Sequence, residues 1–509
     1  MFRHLLWLLT TVYGFGICTG QGQQVNVSLV QQHWFETRTA HFTIYSCGQT
    51  QDVYKIASHL EQFCEAYSLL AGTRALASPP VAVMAFPNHE SMRPFLPLYQ
   101  GRPGNLAGFF ARGSDENLIV LSMPGSDEES SGMDVIFHEY THLLSRHNDL
   151  IWPLWLKEGM AEIYSTFETT GYEARIASPI DHHLDLLAHE PLMPLHELFG
   201  VTHDSPQYNE ATRQGVFYAE SWLLTHFLMA DDNPTYKARF AQYTVLLRQG
   251  QTAEQAFTNA MKTTLPVMEA DLRRYLERGV FKPVELRLPR NVSAPVSLFI
   301  RILTPVEIYF RLGDELLRIN RLDVAESYFS KAQKLAPASP LPYEGLGLVA
   351  AQQKKQDEAL HELSESIRLG STSFLVHFTY ASVKYEMTAV SKNQYTPLDD
   401  SEAKVIRDEF QKSLQLMPNF GPANDLFGFF EMVQGENLGA AEQHLKLAVQ
   451  LEPEDPSFLL TLAQIQLKNN EAAAARQTLK QLLLSNVQHN IHEEAVKLLQ
   501  EIDRDHTTQ

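Results

Sequence analysis

The chain has 509 residues, 44% of them hydrophobic and 20% charged, which is too long for one ordinary core and ample for about two to four domains. Its formal charge of −19 argues against a nucleic-acid surface and against attachment to anionic membranes. Three cysteines, with no CxxC pair, exclude a Cys-rich zinc fold.

The chain begins MFRHLLWLLTTVYGFGICTGQGQQ. A basic start, an apolar run from Leu5 to Ile17 and small residues at Cys18, Gly20 and Gly22 resemble a secretory signal peptide, expected to cover residues 1–20. That run is too short to span a bilayer, and no later segment is longer, so no transmembrane segment is expected. The expectation is an exported, cleaved, soluble protein, periplasmic or extracellular. Of the cysteines that remain, Cys47 and Cys64 could pair in an oxidising compartment or stay as two buried thiols; spacing alone does not fix their Cα separation.

Residues 34–133 alternate short β-like runs with one helix. HFTIYS (41–46) alternates apolar and polar residues, and the helical stripe of 53–72 ends at Gly72. VAVMAFP (81–87) reads as a buried strand, and residues 104–122 as two strands about a Gly-Ser-Asp turn. From Ser131 to about His226 the pattern is mostly helical. Asp232-Asn233-Pro234 interrupts it, and helices resume to about Arg278. The layout is α+β, a small sheet followed by a helical lobe, over residues 21–290.

Within the lobe stands HEYTHLLSRHNDLIWPLWLKEGMAE, residues 138–162. Ser131 and Asp134 have the spacing of a capping box and would start a helix there. On that helix His138 and His142 are four apart, so both imidazoles leave one face about one turn apart, as two ligands of one tetrahedral zinc must. Glu139 points beside such a metal, where it can take a proton from water. Pro153 suits the first turn of a second helix. Descending about 6–8 Å from His142 and climbing as far from Pro153 returns Glu158 to the level of the histidines. Glu162, one turn on, is placed to hydrogen-bond a ligand histidine.

Other histidines are read differently. His147 is expected to be exposed at a helix end. DHHLDLLAHE (181–190) reads as a helix capped by Asp181 with exposed histidines, although His183 and His189 could line a cleft. NVS at 26–28 and 291–293 is a glycosylation acceptor only in a host that glycosylates.

Residues 284–305 lack a helical period and read as short strands or a linker, the linker proper being 291–305. Beyond it, Ala325 to Ala359 and Ala441 to Ala475 are each 34 residues apart, with Gly313, Gly347, Phe329 and Ala332 between or beside them. This resembles the tetratricopeptide repeat, a helix-turn-helix unit with small residues where its helices touch. An all-α solenoid over residues 306–505 is expected, with 386–402 as an irregular insertion.

HEYTH followed by LWLKEGMAEIY (154–164) resembles the gluzincin metallopeptidases, and more narrowly the peptidase-MA-like proteins with tetratricopeptide tails, over residues 34–280. The resemblance implies a zincin-like fold for the first half, Zn2+ as cofactor held by His138, His142 and Glu158, and Glu139 as general base. GVFYAESWLLTHFL (215–228) resembles a family helix that carries a tyrosine, which makes Tyr218 the candidate oxyanion donor. LAGFF (106–110) is the candidate edge strand for substrate backbone. The free-amine motif of the family's aminopeptidases is not present. The functional expectation is an exported zinc peptidase acting on a peptide or protein substrate, with the repeats recruiting substrate or a protein partner. The alternative is a non-catalytic repeat scaffold carrying an inactive or structural zincin domain.

Overall fold

The computed structural model describes residues 25–507 apart from 73–78, 100–101, 105, 107, 114, 124–131, 147–150, 203–204, 210, 232, 290–298, 393–395, 454 and 484–488. The expected signal peptide and His147 lie outside the described residues.

Strands β1 (Phe35–Arg38), β2 (Phe42–Ser46), β3 (Val81–Phe86), β4 (Gly108–Ala111) and β5 (Asn117–Ser122) come early in the chain. Strands β6 (Glu168–Thr169), β7 (Glu173–Ile176) and β8 (Val284–Arg287) make a small sheet of their own, and β9 (Phe299–Ile302) rejoins the first. The large sheet runs β9-β1-β2-β3-β5-β4. Its centre, β2-β3-β5, is parallel; the other neighbours are antiparallel. Parallel neighbours need a crossover. Helix α1 (Thr50–Ala71) supplies the one between β2 and β3 and stops at Gly72, whose φ of 67° is left-handed.

Every residue of β3 is buried, because both faces of the sheet are covered. Val81, Val83 and Ala85 face a core with Ile44, Leu121 and the α1 stripe of Ile56, Leu60 and Phe63. Ala82, Met84 and Phe86 face a second core with Tyr45, Leu118, Val120 and residues beyond 305.

The helical lobe covers the first face. It contains α2 (Met133–Ser145), α3 (Leu154–Ser165), α4 (Asp181–His189), α5 (Leu195–Gly200), α6 (Ala211–Ala230), α7 (Pro234–Arg248), α8 (Ala253–Met261) and α9 (Leu265–Arg278). Cys47 and Cys64 are both free thiols, and Cys64 lies 3.6 Å from the Tyr140 hydroxyl of α2.

The second half is helical: α10 (Pro305–Arg318) with α11 (Leu322–Leu335), α12 (Pro340–Gln352) with α13 (Gln356–Arg368), α14 (Phe374–Lys392) with α15 (Asp400–Leu416), α16 (Gly421–Gln434) with α17 (Leu438–Leu451), α18 (Pro456–Lys468) with α19 (Ala472–Leu483), and α20 (His489–Thr507) last. Ala325, Ala359, Ala441 and Ala475 are at most 1% exposed, each on the second helix of a pair. Facing them are small residues on the first helices. A Cβ on Gly347 would stand 2.6 Å from Leu363, and one on Gly428 would stand 2.7 Å from Leu445. The turns repeat too, with positive φ at Asn320, Lys354, Asn437 and Asn470. The segment 386–402 is less irregular than expected, since α14 runs on to Lys392 and α15 starts at Asp400.

The expected linker at 291–305 is only partly one. Phe299–Ile302 pairs antiparallel with Phe35–Arg38 and becomes the outer strand of the sheet. Helix α10 then lays Ile308, Leu312 and Leu316 on the sheet's second face. Polar contacts fix this union. Arg318 reaches both oxygens of Asp115, at 2.7 and 3.0 Å, and the Glu116 carbonyl at 2.9 Å. Arg311 stacks 4.4 Å over Tyr45, Arg321 donates to the Pro94 carbonyl, and the Asn26 amide donates to Tyr328 at 3.0 Å. The boundary between sheet and repeats is therefore a packed interface.

Candidate metal centre

Helix α2 begins after Gly132, which takes φ 66° and offers no side-chain cap; the expected cap residue Ser131 lies outside the described residues. Asp134 stands in the first turn, where its charge favours the helix dipole. Ile136, Phe137, Tyr140, Leu143 and Leu144 turn into the core, leaving His138, Glu139 and His142 half-buried on the other side. Helix α3 follows Pro153 and buries Leu154, Trp155, Leu156 and Glu158.

The antiparallel return expected from the spacing is what the structure shows. Glu158 Oε2 lies 3.2 Å from His142 Nε2 and 3.5 Å from His138 Nε2, and the two imidazole nitrogens are 3.2 Å apart. One ligand atom from each residue falls within 4.8 Å of the others. Glu158 is 3% exposed, and its Oε2 is buried without a hydrogen-bond partner. Burial alone raises its carboxyl, but His138 and His142 overcome that and bring it down to about 2. Burial depresses His138, and Glu158, Glu162 and Glu139 outweigh it and raise the imidazole. Two imidazole nitrogens and one carboxylate within 4.8 Å of one another, with an oxygen left unsatisfied, are a donor set that fits a divalent cation such as zinc.

A glycine next to Glu158 lets α3 lie close against α6. Behind Glu158, a Cβ on Gly159 would collide with the Ser221 carbonyl and with Thr225 Oγ1, both on α6. Helices α3 and α6 therefore touch backbone to backbone, which also sets where Tyr218 sits. Its ring is 6.3 Å from that of His138 and stacks on Tyr208. Strand β4 is the outer strand beside α2, where a Cβ on Gly108 would meet Ile136 at 3.4 Å.

Glu162 holds the place expected for it, with Oε1 3.4 Å from His138 Nδ1. The 181–190 segment departs from expectation. Ile180, with no side-chain cap, precedes α4; Asp181 lies in the first turn, and His183 is 4% exposed instead of solvated. His183 Nε2 lies 3.3 Å from Glu162 Oε2. The sequence carried a signal for this, because His183 shares its helix face with Leu187, the other buried residue of α4. His189 is exposed and hydrogen-bonds the Asp185 carbonyl at 2.7 Å. His226, also buried, is spent on Tyr275 at 2.7 Å and the Ala177 carbonyl at 3.0 Å; burial brings it down to about 4.

Residues 310–373 and 433–502 match family models described as tetratricopeptide repeat, so the helical half contains such repeats. His138, His142 and Glu158 lie outside both matches. No curated protein matches the chain. Solved structures similar to it include YrrB, a repeat protein "with an unusual peptide-binding site", at 17% identity over 37% of this chain and 91% of that one, TM-score 0.31. A second is TTC0263 of Thermus thermophilus, at 18% identity over 38% of this chain and 98% of that one, TM-score 0.30. A third is PilF of Pseudomonas aeruginosa, at 17% identity over 40% of this chain and 93% of that one, TM-score 0.31. No helix among the described residues is long and apolar enough to cross a membrane.

Proposed function

We propose that the N-terminal half is a zinc-dependent peptidase of gluzincin type, exported by way of residues 1–20, and that the repeats recruit its substrate or a partner protein. The observation that carries this is the convergence of His138, His142 and the unsatisfied Glu158 oxygen on one point, with Glu139 kept beside it. A structural site has no use for such a base and fills its fourth position with a protein ligand.

A zinc ion held there would polarise a substrate carbonyl and acidify a water. The chain's own groups supply the rest. Glu139 accepts the proton of the attacking water and returns it to the leaving amine. Tyr218, beside His138, donates to the oxyanion as the carbonyl becomes tetrahedral. The outer edge of β4 pairs with the substrate backbone. Because α10 is engaged with the sheet, recruitment falls to the later helix pairs, whose stacked surfaces suit a protein or peptide.

A second reading, a non-catalytic repeat scaffold, is favoured by the family matches lying in the repeats. Metal analysis of the mature protein, with cleavage of a mixed peptide library by wild type, Glu139→Gln and a chelated sample, separates the two. Cuts made by wild type alone are expected, with loss of at least ~100-fold in Glu139→Gln. One metal per chain with no cuts would favour the scaffold.

A further inference from the structure

We infer that His183 is a positioning residue for the candidate metal centre, acting through Glu162 on His138. The inference rests on the metal-site reading above and extends it to a third helix. The Glu162 carboxylate is divided between two imidazoles: Oε1 lies 3.4 Å from His138 Nδ1, and Oε2 lies 3.3 Å from His183 Nε2. His138 turns its other nitrogen, Nε2, toward Glu158 and His142. To offer a lone pair there it must carry its proton on Nδ1, and Glu162 is the acceptor that fixes this tautomer.

A carboxylate on a glutamate has a free terminal torsion, and one partner alone does not fix its plane. His183 supplies the second point. It comes from α4, is 4% exposed, and is held between the His182 ring at 4.3 Å and the Trp222 ring at 6.1 Å. Its Nε2 is buried without an aligned hydrogen bond, and the acceptor it faces is Glu162. A buried imidazole left with no other partner for that nitrogen is costly to the fold, and here it falls on the one carboxylate that orients a ligand. Helices α2, α3 and α4 are thus tied through a single side chain.

The test is zinc affinity, read by competition with a chromophoric chelator on the full chain, with metal-free melting temperature measured beside it. His183→Leu removes the donor; His183→Gln keeps an amide donor near the position of Nε2; His183→Asn keeps one too short to reach Glu162. Wild type is expected to bind one zinc, His183→Leu and His183→Asn to bind about 10- to 100-fold more weakly, and His183→Gln to recover most of the loss. A merely structural role would not make Gln and Asn differ at equal melting temperature. Should the Leu variant fail to fold, the Gln–Asn comparison decides alone. Equal affinity in Gln and Asn variants, with wild type binding zinc, overturns the role of His183 and leaves the metal site standing. A wild-type chain that binds no zinc overturns both.

Discussion

Glu220 has no exposed surface, and only one of its oxygens is satisfied: Oε2 accepts the Met193 amide at 2.6 Å while Oε1 has no hydrogen-bond partner. Burial is the main cause that pushes its carboxyl up to about 8; nearby Glu269 adds to this, while Met193 and Arg273 oppose it. In the unfolded chain the same group titrates near 4.5. Between these values the unfolded state binds fewer protons, so stability is full below about 4.5 and declines as pH rises toward 8. Glu220→Gln keeps the acceptor for Met193 and is expected to remove a decline on the order of a few kcal/mol. Urea midpoints at several pH values would check this; equal slopes for variant and wild type would dismiss it. At this scale helical spacing foretold that His138, His142 and Glu158 would converge and that Glu162 would stand beside His138, but not that His183 would be buried. His138, His142 and Glu158 follow from helical spacing because all lie within 21 residues of one another. The burial of His183 is hinted at by Leu187 four residues on, but its contact with Glu162 of α3 leaves no local pattern.

At the scale of elements, the pairing of α3 with α6 governs the centre. Gly159 lets the Ser221 carbonyl come closer than any Cβ would allow, and a backbone oxygen cannot swing aside as a long side chain can. Gly159→Ala is expected to cost about 1–3 kcal/mol and to shift Glu158 off the imidazoles, lowering zinc affinity along with stability. Unchanged denaturation midpoint and zinc binding would show that α6 yields freely. The strands from Phe42 to Ser122 were legible because their apolar runs are short and bounded by turn residues. Two features were not. Strand β9 falls where short strands were one of two readings, but its pairing with β1, whose nearest partners Arg38 and Phe299 are 261 residues apart, leaves no local period. The extension of α14 to Lys392 was masked because its 34-residue register is broken there while its helical character is not.

Over the whole molecule the repeats are an organ of the sheet as well as a tail. Besides the Arg318–Asp115 pair at the sheet, Arg146 at the end of α2 lies 3.5 Å from Glu452 just beyond α17, so the array meets the lobe as well as the sheet. The second joint is the longer contact, 3.5 Å against 2.7 Å for Arg318–Asp115, and burial pushes the Glu452 carboxyl up to about 7 despite Arg146. A truncation at residue 290 strips β9 and uncovers Met84, Phe86, Leu118 and Val120, each at most 3% exposed in the full chain. We expect that fragment to aggregate or to lose cooperative unfolding, and one ending at residue 370, which keeps α10 to α13, to retain it. Calorimetry on the two would decide; a cooperative transition in the shorter fragment would mean that the first half closes its own core.

The position of β9 also imposes an order on how the chain comes into being. Strand β1 emerges from the ribosome about 260 residues before its outer neighbour, an interval on the order of ten to fifty seconds at ordinary rates of synthesis. Through that interval the nascent sheet has a raw edge along Phe35–Arg38, the kind of edge that recruits a stranger's strand. The HExxH helix is made inside the same interval. The His138–His142 pair therefore exists before the scaffold around it is finished, and the last stitch is delivered by the residues that lead into the repeat half.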